Sequence, residues 1–348
     1  MPSRLKIGII GLGFGGAVHV PAFRQDLRCQ VIAIAGRNKE KAANLAKDLE
    51  IPNSSDDWRR IIENREIGAV SIAVPPYVQP EIVEAALHAG KHVFCEKPLA
   101  PSAVSAARLF RLAASKGLVH AVDFIFPELQ PWIEARERIR SGAIGAVRHV
   151  SLDWSVETYA ARMNLDSWKN DPVCGGGVLN NFVSHVVHNI EWMIGRIDYV
   201  SAILRGPVNK AETRVNATLD LEGEVPVFLS VASDAFLGSG HRIFVYGESG
   251  TLALENPTSD YASGFQLRVG TRDTVSLNAV TVDRTQPGID GRIAPVARIA
   301  SRFCDAIFHG VIMSPDFANG LRAQCILDTM RLSNESNRRM ATDSLPPA

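Results

Sequence analysis

Apolar and polar positions follow a repeating pattern through the first third of the chain. Short, nearly continuous apolar runs, which predict β-strands, occupy residues 5–10, 31–35, 69–74, 92–95 and 119–122. Between them, apolar residues recur at helical spacing over residues 39–49, 81–89 and 103–116. Continuous apolar runs are typical of parallel strands that are buried on both faces. The alternation predicts a doubly wound parallel α/β sheet, which we assign to a first domain of residues 1–122.

The remaining residues, 123–348, carry a different pattern and predict a second domain of α+β type. Apolar residues alternate with other residues over 215–221 and again over 225–231, on either side of the turn Glu222-Gly223-Glu224. Such alternation around a glycine turn is typical of a β-hairpin. Two amphipathic segments, 296–308 and 320–336, predict helices near the end of the chain.

Composition and charge narrow the possible partners. Hydrophobic residues make up 46% and charged residues 21% of the 348 positions, as in an ordinary globular protein. The 37 basic and 37 acidic side chains cancel, so no overall field favours nucleic acid or a membrane surface. No stretch reaches the roughly 18 apolar residues of a membrane span. We therefore expect a small-molecule partner and neither nucleic acid nor membrane.

The cysteines and the N-terminus indicate the cellular compartment. The five cysteines are scattered and form no CxxC pair, which argues against a disulfide framework or a zinc knuckle. An apolar run at residues 7–12 follows Arg4 and Lys6, but glycines interrupt it well before the length of a signal peptide. Both observations predict a location in the reducing cytoplasm.

A glycine-rich turn directly follows the first predicted strand, with the sequence Gly11-Leu12-Gly13-Phe14-Gly15-Gly16. It matches GxGxxG, in which Gly11 allows the tight turn, Gly13 lets the backbone approach a pyrophosphate, and Gly16 lets the helix pack closely on the strand. Unpaired N–H groups at the start of the following helix favour phosphate. A glycine turn can serve packing alone, but its place in a βαβ unit predicts a dinucleotide site that includes Phe14 and Gly15.

The end of the second predicted strand indicates which dinucleotide binds. A carboxylate about 20 residues after the glycines normally binds the 2′-hydroxyl of NAD, but here the sequence is Ala35-Gly36-Arg37-Asn38. The guanidinium of Arg37 suits the 2′-phosphate of NADP and can stack on adenine. We predict NADP, bound with the help of Arg37 and Asn38. NAD is the alternative if Arg37 is only a solvated residue at a helix start.

Two stretches, Ala-Val-Pro-Pro at 73–76 and AALHAGKHVFCEKPL at 85–99, resemble the Gfo/Idh/MocA oxidoreductases, which include glucose–fructose oxidoreductase and inositol dehydrogenases. Further similarities follow in order at 141–145, at 175–177 with His185, and at 247–252. The resemblance implies an NAD(P)-dependent enzyme that moves a hydride between the nicotinamide and a hydroxyl or keto group of a sugar, polyol or related molecule. It also implies an open, mostly antiparallel sheet in the second domain, and we expect a homodimer or homotetramer.

Lys97 is the first candidate for the chemistry, because the family carries its catalytic lysine in the motif Glu96-Lys97-Pro98. The motif follows a predicted parallel strand, at the sheet edge where ligands bind. An ammonium there can hydrogen-bond the substrate oxygen and polarise a carbonyl. The resemblance also assigns Pro75, Glu96 and Lys97 to the cofactor site, and Pro98 can fix the turn through a cis bond.

His185 is the second candidate, in a segment that resembles the family motif GG-x-L-x-D-x-x-x-H. An imidazole suits acid–base chemistry near neutral pH, and on a helix Asn181 and His185 share a face. Many relatives carry Asp where this chain has Asn181, whose amide can hold a hydroxyl or orient the imidazole but cannot act as a base. A hydrogen-bonded core histidine is the alternative for His185. We expect Lys97 and His185 to converge beside the nicotinamide.

Two further groups of residues bear on the site. Gln79 and Pro76 replace the His and Asn that are common in the family, so the geometry near the nicotinamide is expected to differ. His185, His188 and Glu191 are spaced three apart, as metal ligands can be. Zinc needs further ligands and a supporting shell, and the sequence supplies none clearly, so we predict no metal.

Arg162 and Trp168 are candidate substrate contacts, with Asp123 and Trp154 as weaker ones. Arginine suits a carboxylate or phosphate, and an indole face suits a sugar ring, although large aromatic residues are more often part of a core. Two alternatives to a freely exchanging dehydrogenase stay open. One is an enzyme whose cofactor stays bound and cycles internally, and the other is a non-catalytic nucleotide-sensing regulatory protein on the same fold.

Overall fold

The computed structural model describes residues 4–163, 165, 167–258, 260–282 and 290–343. The chain divides into two compact units. The first comprises Met1–Ile125 and Gly288–Arg322, and the second comprises Phe126–Pro287 and Ala323–Pro347. The first boundary lies close to the one predicted between residues 122 and 123. The structure differs from the predicted second domain, 123–348, because a segment near the C-terminus returns to the first unit.

A six-stranded sheet lies at the centre of the first unit, and every pairing among its described strands is parallel. The strands are β1 (Leu5–Ile10), β2 (Cys29–Ala35), β3 (Asn53–Ser55), β4 (Ala69–Ile72), β5 (His92–Cys95) and β6 (His120–Val122). Their order, β3-β2-β1-β4-β5-β6, confirms the predicted doubly wound Rossmann sheet. The sequence pattern did not indicate β3, because its residues Asn-Ser-Ser are all polar.

Helices connect these strands, and the three predicted at residues 39–49, 81–89 and 103–116 lie close to their predicted positions. A π-helical turn, Gly15–His19, continues into the first helix, and the helices are α1 (Val20–Arg24), α2 (Lys39–Asp48), α3 (Arg59–Glu63), α4 (Gln79–His88) and α5 (Ala103–Lys116). Asn38 and Ser102 cap α2 and α5, because their side-chain oxygens accept the backbone N–H groups of Lys41 at 2.8 Å and Ser105 at 3.3 Å. Such caps satisfy N–H groups that have no partner inside the helix.

A nine-stranded sheet forms the second unit. Its strands are β7 (Val147–Ser155), β8 (Ile197–Arg205), β9 (Arg214–Leu221), β10 (Pro226–Ala232), β11 (Gly240–Gly247), β12 (Gly250–Asn256), β13 (Gln266–Thr271), β14 (Asn278–Val280) and β15 (Met340–Ala341). The order is β14-β13-β12-β11-β7-β10-β9-β8-β15, and among the described strands only β7 and β10 pair in parallel. The predicted hairpin is confirmed, with Leu219 opposite Val227.

Helices and aromatic rings cover one face of this sheet. The covering helices are α6 (Gln130–Arg140) and α8 (Ser184–Met193), the latter preceded by a π-helical turn at Leu179–Val183. The short helix α7 (Tyr159–Arg162) follows β7 and has no buried residue. Alternate residues of β7, namely Val150, Leu152 and Trp154, are buried, as expected for a strand with one face on a core. Trp154 stacks on His241 with the ring centroids 4.1 Å apart and the planes 3° from parallel.

Helix α9 (Ile293–His309) belongs to the first unit although it lies near the C-terminus. Phe303 on this helix packs edge-to-face against Phe94, with ring centroids 5.9 Å apart, and against Phe23, at 6.4 Å. These partners lie roughly 200 or more residues earlier in the chain. The amphipathic pattern predicted the helix, but it did not indicate which core the helix completes.

Helix α10 (Phe317–Ser336) is the last helix of the described chain. Helices α9 and α10 confirm the predicted segments 296–308 and 320–336, and each begins three residues earlier than predicted. Among the described helices, none combines the length and the apolar character that a membrane crossing requires.

Candidate active site

The glycine-rich turn closes as its sequence predicts. Gly11 has a φ of +124°, and a Cβ at this position would clash with the carbonyl oxygen of Ala73. Only glycine accepts both conditions without strain. The Ala17 N–H donates to the Gly13 carbonyl at 3.0 Å, so Gly13 lies just before the helix and supplies its first carbonyl acceptor. The N–H groups of its first turn have no partner within the helix and can bind a phosphate.

The other glycines of the turn have separate roles. Apart from its chain neighbours, no described atom lies within 4 Å of a Cβ built on Gly13, which leaves space for a pyrophosphate. A Cβ on Gly15 would lie 3.1 Å from the Ile9 side chain in β1, whereas one on Gly16 would lie 2.7 Å from Leu45 in α2. Gly15 therefore lets the helix pack on the first strand. The role predicted for Gly16 was wrong, because Gly16 makes room for α2.

The end of β2 lies beside the glycine turn. A Cβ on Gly36 would clash with the side chain of Leu12, so this side chain packs directly on the Gly36 backbone. Arg37 follows and is exposed. The Asn38 side chain caps α2 through the Lys41 N–H, as described above. The charged group that the sequence assigns to the cofactor is therefore solvent-accessible, while the Asn38 side chain is engaged in the helix cap.

Pro75 lies between β4 and α4. Its carbonyl accepts the backbone N–H groups of Val78 at 3.0 Å and Gln79 at 3.3 Å, and so forms the turn that leads into α4. The Ala73 N–H donates to the Ile10 carbonyl at 2.8 Å, which extends the pairing of β4 with β1. Pro75 is thus at the carboxyl edge of the sheet, where the glycine turn also lies.

Lys97 follows β5 in a turn that a buried amide holds. The Lys97–Pro98 peptide bond is cis, in agreement with the prediction. Gln79 Nε2 donates to the carbonyl oxygens of Glu96, Pro98 and Leu99 at 2.7, 2.9 and 3.1 Å. Gln79 is 1% exposed. The residue that departs from the family pattern therefore stabilises the turn that carries Lys97.

A buried polar cluster, which we call the His19 cluster, adjoins this turn. His19 Nε2 lies 3.2 Å from Glu96 Oε1 and 3.3 Å from Asp123 Oδ2, and His19 Nδ1 lies 2.7 Å from Ser71 Oγ. The side chains of His19 and Asp123 are 0% and 1% exposed. We did not predict this cluster. A sequence signal was present, because His19 is the one polar residue in the apolar run 17–23 that follows the glycines.

Burial and charge act together on the His19 cluster. Burial opposes the charged form of His19, but its hydrogen bonds to Asp123 and Glu96 outweigh that effect and raise its pKa to about 9. Burial also opposes ionisation of Glu96, yet the hydrogen bond from His19 and the nearby Lys97 charge lower its pKa. Burial raises the pKa of Asp123 to about 7, against the opposing effect of His19. His19 is therefore a cation at neutral pH, between two acidic groups.

In the second unit, the predicted glycine motif packs against the backbone at Trp168. A Cβ on Gly176 would lie 2.5 Å from the carbonyl oxygens of both Trp168 and Lys169, and the Gly177 N–H donates to the Lys169 carbonyl at 2.8 Å. Gly177 has a φ of +102°, and the Glu212 carboxylate occupies the space that a side chain would need there. These glycines therefore let the segment before α8 approach Trp168, one of the candidate substrate contacts.

Asn181 and His185 lie where the π-helical turn joins α8. Asn181 Nδ2 donates to the Gly177 carbonyl at 2.8 Å, so its amide nitrogen is engaged within its own turn. His185 is 6% exposed and meets the Phe126 ring edge-on, with centroids 4.9 Å apart and planes at 90°. Trp154 lies further away, at 6.5 Å between ring centroids. An imidazole against an aromatic wall fits the acid–base role and also the core alternative.

His188 and Glu191 have structural roles. Burial lowers the pKa of His188 to about 3, so its ring is neutral. Glu191 Oε1 accepts the Ile197 N–H at 3.0 Å. Within the described ranges, potential metal ligands converge in two other groups, the His19 cluster and Asp26–Cys29–Cys304. In the second group Asp26 already pairs with Arg28 at 2.6 Å, which opposes binding of a cation.

The four candidate substrate contacts have different surroundings. Arg162 ends α7 and is exposed, and Trp168 is half-buried. Trp154 is 5% exposed and stacks on His241, as expected for a core residue. Asp123 is enclosed in the His19 cluster. Of these four residues, Arg162 and Trp168 retain the accessibility that a substrate contact needs.

Comparison with protein families accounts for both parts of the chain. Residues 5–124 match the GFO_IDH_MocA model, described as an oxidoreductase family with an NAD-binding Rossmann fold. Residues 132–253 match the GFO/IDH/MocA C-terminal domain. The glycine turn and Lys97 fall within the first match, and His185 falls within the second. The two models together span well over half of the chain.

Several named relatives act on sugars. A dTDP-3,4-didehydro-2,6-dideoxy-alpha-D-glucose 3-reductase from Saccharopolyspora spinosa is 32% identical over 290 residues, which cover 80% of this chain and 84% of the relative. A levoglucosan dehydrogenase from Pseudarthrobacter phenanthrenivorans is 33% identical over 215 residues, 58% of this chain and 54% of the relative. A solved levoglucosan dehydrogenase in complex with NADH and levoglucosan has a TM-score of 0.87 and 25% identity, covering 98% of this chain and 100% of that one.

Proposed function

The chain belongs to the Gfo/Idh/MocA oxidoreductase family, and from that premise we propose that it transfers a hydride between NADP and a hydroxyl or keto group of a sugar, polyol or related molecule. The Lys97 turn is the observation that carries this proposal. It places an ammonium-bearing residue after β5, in the same parallel sheet whose first strand runs into the glycine turn. Ligands bind at the carboxyl edge of such sheets.

The glycine turn fits a dinucleotide. The space at Gly13 and the start of a helix beside it suit a pyrophosphate. The residues proposed to hold the cofactor are Gly11, Gly13, Phe14, Gly15, Gly16, Arg37, Asn38, Pro75, Glu96 and Lys97. When bound, the nicotinamide supplies the hydride chemistry that amino-acid side chains lack.

Lys97 has the task of binding the reacting oxygen. Its ammonium donates a hydrogen bond to that oxygen and polarises a carbonyl. Positioning matters for such a group, because a displacement of about 1 Å can lower the rate considerably. The hydrogen bonds from Gln79 to the backbone of the turn, and the contact of Glu96 with His19, supply that positioning.

His185 gives or takes the proton on the substrate oxygen, since an imidazole exchanges protons near neutral pH. Asn181 orients a substrate hydroxyl where relatives use a carboxylate. Arg162 and Trp168 are proposed to contact the rest of the substrate, and the packing of Trp168 on the glycine segment before α8 supports this role. The named relatives favour a sugar or sugar derivative as the substrate class.

NADP is proposed as the preferred cofactor. Arg37 is exposed beside the glycine turn, and residues 35–38 contain no carboxylate to bind the 2′-hydroxyl of NAD. The similar levoglucosan dehydrogenase structure holds NADH. The fold therefore does not decide between the two cofactors, and the preference rests on the charge of Arg37.

An exposed face of the second sheet supports a homodimer or homotetramer. Ser201 and Phe228 both pair with Thr218 and so share a face, and Tyr199 and Ile203 lie two residues on either side of Ser201. Phe228, Ile203 and Tyr199 are 51%, 50% and 39% exposed, and apolar patches of this kind mark protein–protein surfaces. Light scattering is expected to give a multiple of the chain mass, and a monomer would contradict the proposal.

A cytoplasmic location is also proposed. Among the described residues no cysteine forms a disulfide, which suits a reducing compartment. Fractionation of cells that produce the protein tests this, since recovery outside the cytoplasm would contradict it.

Steady-state kinetics with NADPH and a panel of keto sugars test the function. Lys97→Ala is expected to lower kcat/KM by a factor on the order of 10² or more. The Kd for NADPH, measured by fluorescence, should change much less, because Lys97 is one of many residues proposed to hold the cofactor and the glycine turn is intact. Lys116→Ala, at the exposed end of α5, is the control and is expected to keep full activity. Undiminished activity of Lys97→Ala would refute the assigned role.

Two other outcomes separate the alternatives. Tight binding of NADPH without turnover of any sugar would favour a nucleotide-sensing protein. A copurified cofactor that does not exchange with added NADP would favour an enzyme that cycles its cofactor internally.

A further inference from the structure

Three neighbouring strands of the first sheet bring polar groups to His19. Ser71 lies in β4, Glu96 follows β5 and Asp123 follows β6, whereas His19 ends the π-helical turn after the glycines. A protonated imidazole carries one hydrogen on each ring nitrogen. Nδ1 therefore donates to Ser71 Oγ at 2.7 Å, and Nε2 donates to Glu96 Oε1 at 3.2 Å. Asp123 Oδ2 lies 3.3 Å from the same nitrogen, within ion-pair distance.

Stability alone does not account for this arrangement. Removing a cation and carboxylates from water has a large desolvation cost, and well-packed apolar residues are often at least as stabilising as a buried ion pair. The neighbouring side chains Phe94 and Phe14 already surround the ring, with centroids 5.3 and 5.2 Å from that of His19. Buried charged clusters of this kind occur preferentially at functional sites. The residue adjoining this cluster along the chain is Lys97.

We propose that His19 is a positioning residue for hydride transfer, which holds the Glu96 carboxylate and thereby fixes the turn that presents Lys97. This inference rests on the proposed function of the same site. His19 anchors the Glu96 side chain, and Gln79 anchors the Glu96 carbonyl oxygen at 2.7 Å. Two anchors on one residue leave little freedom to the peptide that joins Glu96 to Lys97. A displacement of about 1 Å at such a point can cost roughly 10²-fold in rate.

The charge of His19 is essential to this role. Without the imidazolium, the half-buried carboxylate of Glu96 would face the buried carboxylate of Asp123. Two like charges at such a site do not both stay ionised. They would share a proton or move apart. Either response changes the position of Glu96, so an uncharged side chain of similar size is not expected to replace His19.

His19→Gln removes the charge but keeps an amide donor. In this variant kcat is expected to fall by about 10- to 100-fold, while the KM and Kd for NADPH change by less than about threefold because the glycine turn is intact. Adding Asp123→Asn removes the opposing carboxylate and supplies a second amide donor to Glu96. The double variant is therefore expected to regain about tenfold in kcat relative to His19→Gln.

His92→Gln is the matched control. His92 lies at the opposite end of β5, is half-buried, and accepts the Val119 N–H through Nδ1 at 3.0 Å. This variant loses a hydrogen bond made by a histidine in the same sheet, but it leaves the contacts of Glu96 unchanged. Its melting temperature is expected to fall, whereas kcat stays at the wild-type value.

NMR of the His19 ring gives a readout that is independent of turnover. The ¹³Cε1 and ¹⁵N signals are expected to show a protonated imidazole at neutral pH that titrates at a pKa of about 9. A neutral ring at neutral pH, or no regain of kcat in the double variant, overturns the proposal.

Ser71→Ala covers the case in which His19→Gln does not fold. It removes the hydrogen-bond partner of His19 Nδ1, on the side of the ring opposite the carboxyl groups. The kcat is expected to fall by about three- to tenfold at unchanged Kd for NADPH. A wild-type kcat in this variant overturns the role of His19. Absence of turnover by the wild-type protein with every sugar tested would instead contradict the proposed function itself, and the NMR titration would still report on the cluster.

Discussion

At the residue scale, two cations of the first unit differ in their surroundings. Arg37 is exposed beside the glycine turn, where water and salt screen its charge until a ligand binds. His19 is fully buried, and neighbouring acidic groups balance its charge within the fold. The exposed guanidinium of Arg37 can therefore select a ligand. The buried imidazolium of His19 is part of the folded structure whether or not a ligand is bound. Each leads to a separate experiment.

Arg37→Asp is expected to reverse the cofactor preference. Charge-assisted hydrogen bonds to a 2′-phosphate are worth about 1.5–3 kcal/mol, or roughly 10- to 100-fold in affinity. The new carboxylate can accept the 2′-hydroxyl of NAD. Values of kcat/KM should therefore fall for NADPH and rise for NADH. Arg60→Asp, at an exposed position of α3, is the control for net charge. An unchanged ratio would argue against NADP as the preferred cofactor.

The pKa of His19 determines how stability depends on pH. Folding raises this pKa from 6.5 to about 9, so the folded protein binds the proton more tightly than the unfolded chain. The contribution to the free energy of unfolding is complete below pH 6.5 and is lost as the pH rises through about 9. The raised pKa of Asp123 acts in the same direction between 3.8 and about 7.

Chemical denaturation across this range measures the effect. The free energy of unfolding is expected to fall by up to about 3 kcal/mol between about pH 6.5 and 9, and His19→Gln should lack most of this decrease. A flat or rising profile for the wild-type protein would contradict the buried cation.

At the element scale, the first sheet could be predicted because its strands are continuous apolar runs between amphipathic helices. The pattern failed at β3, which has no apolar residue and is recognisable only by its pairing with β2. The roles of Gly15 and Gly16 also required the packing partners. Both glycines follow β1. Gly15 lies close to Ile9 of that strand, whereas Gly16 lies close to Leu45, which comes later in the chain.

The position of Lys97 after β5 was predictable, because one short motif directly follows the apolar run of that strand. The candidate site was not predictable where residues distant in sequence meet. His19 is 52 positions from Ser71 and 77 from Glu96, and only the strand order brings them together. Gln79 was expected to change the geometry near the nicotinamide because it departs from the family pattern, but the sequence did not indicate that its amide holds the Lys97 turn. The pattern of residues in one sequence does not show which distant residues are in contact.

Gly13→Ala separates the folding role of the glycine turn from its binding role. Because the space at this Cβ is open, the melting temperature should change little, but the added methyl group would occupy the pyrophosphate space and raise the Kd for NADPH about tenfold or more. Gly11→Ala should lower the melting temperature as well, because φ is +124° there. Unaltered NADPH binding by Gly13→Ala would contradict the assigned cofactor site.

At the scale of the whole molecule, the chain passes from the first unit to the second, back to the first through α9, and to the second again. The first unit carries the glycine turn, Lys97 and the His19 cluster, and the second carries His185 and the open sheet. The predicted boundary divided the chain at a single point and so placed α9 in the second domain. The structure places α9 in the first unit, because its apolar face packs on residues near the N-terminus. The central claim for the whole chain is enzymatic hydride transfer.

Deuterium transfer tests that claim most directly. NADPH labelled with deuterium at C4, prepared separately as the 4R and 4S isomers, is incubated with the panel of keto sugars, and the products are analysed by mass spectrometry. We expect one of the two isomers to deliver a single deuterium to the newly formed carbinol carbon, in proportion to the NADPH oxidised and at a much lower rate with Lys97→Ala. Products without deuterium, or no oxidation of either isomer with any sugar, would contradict the account.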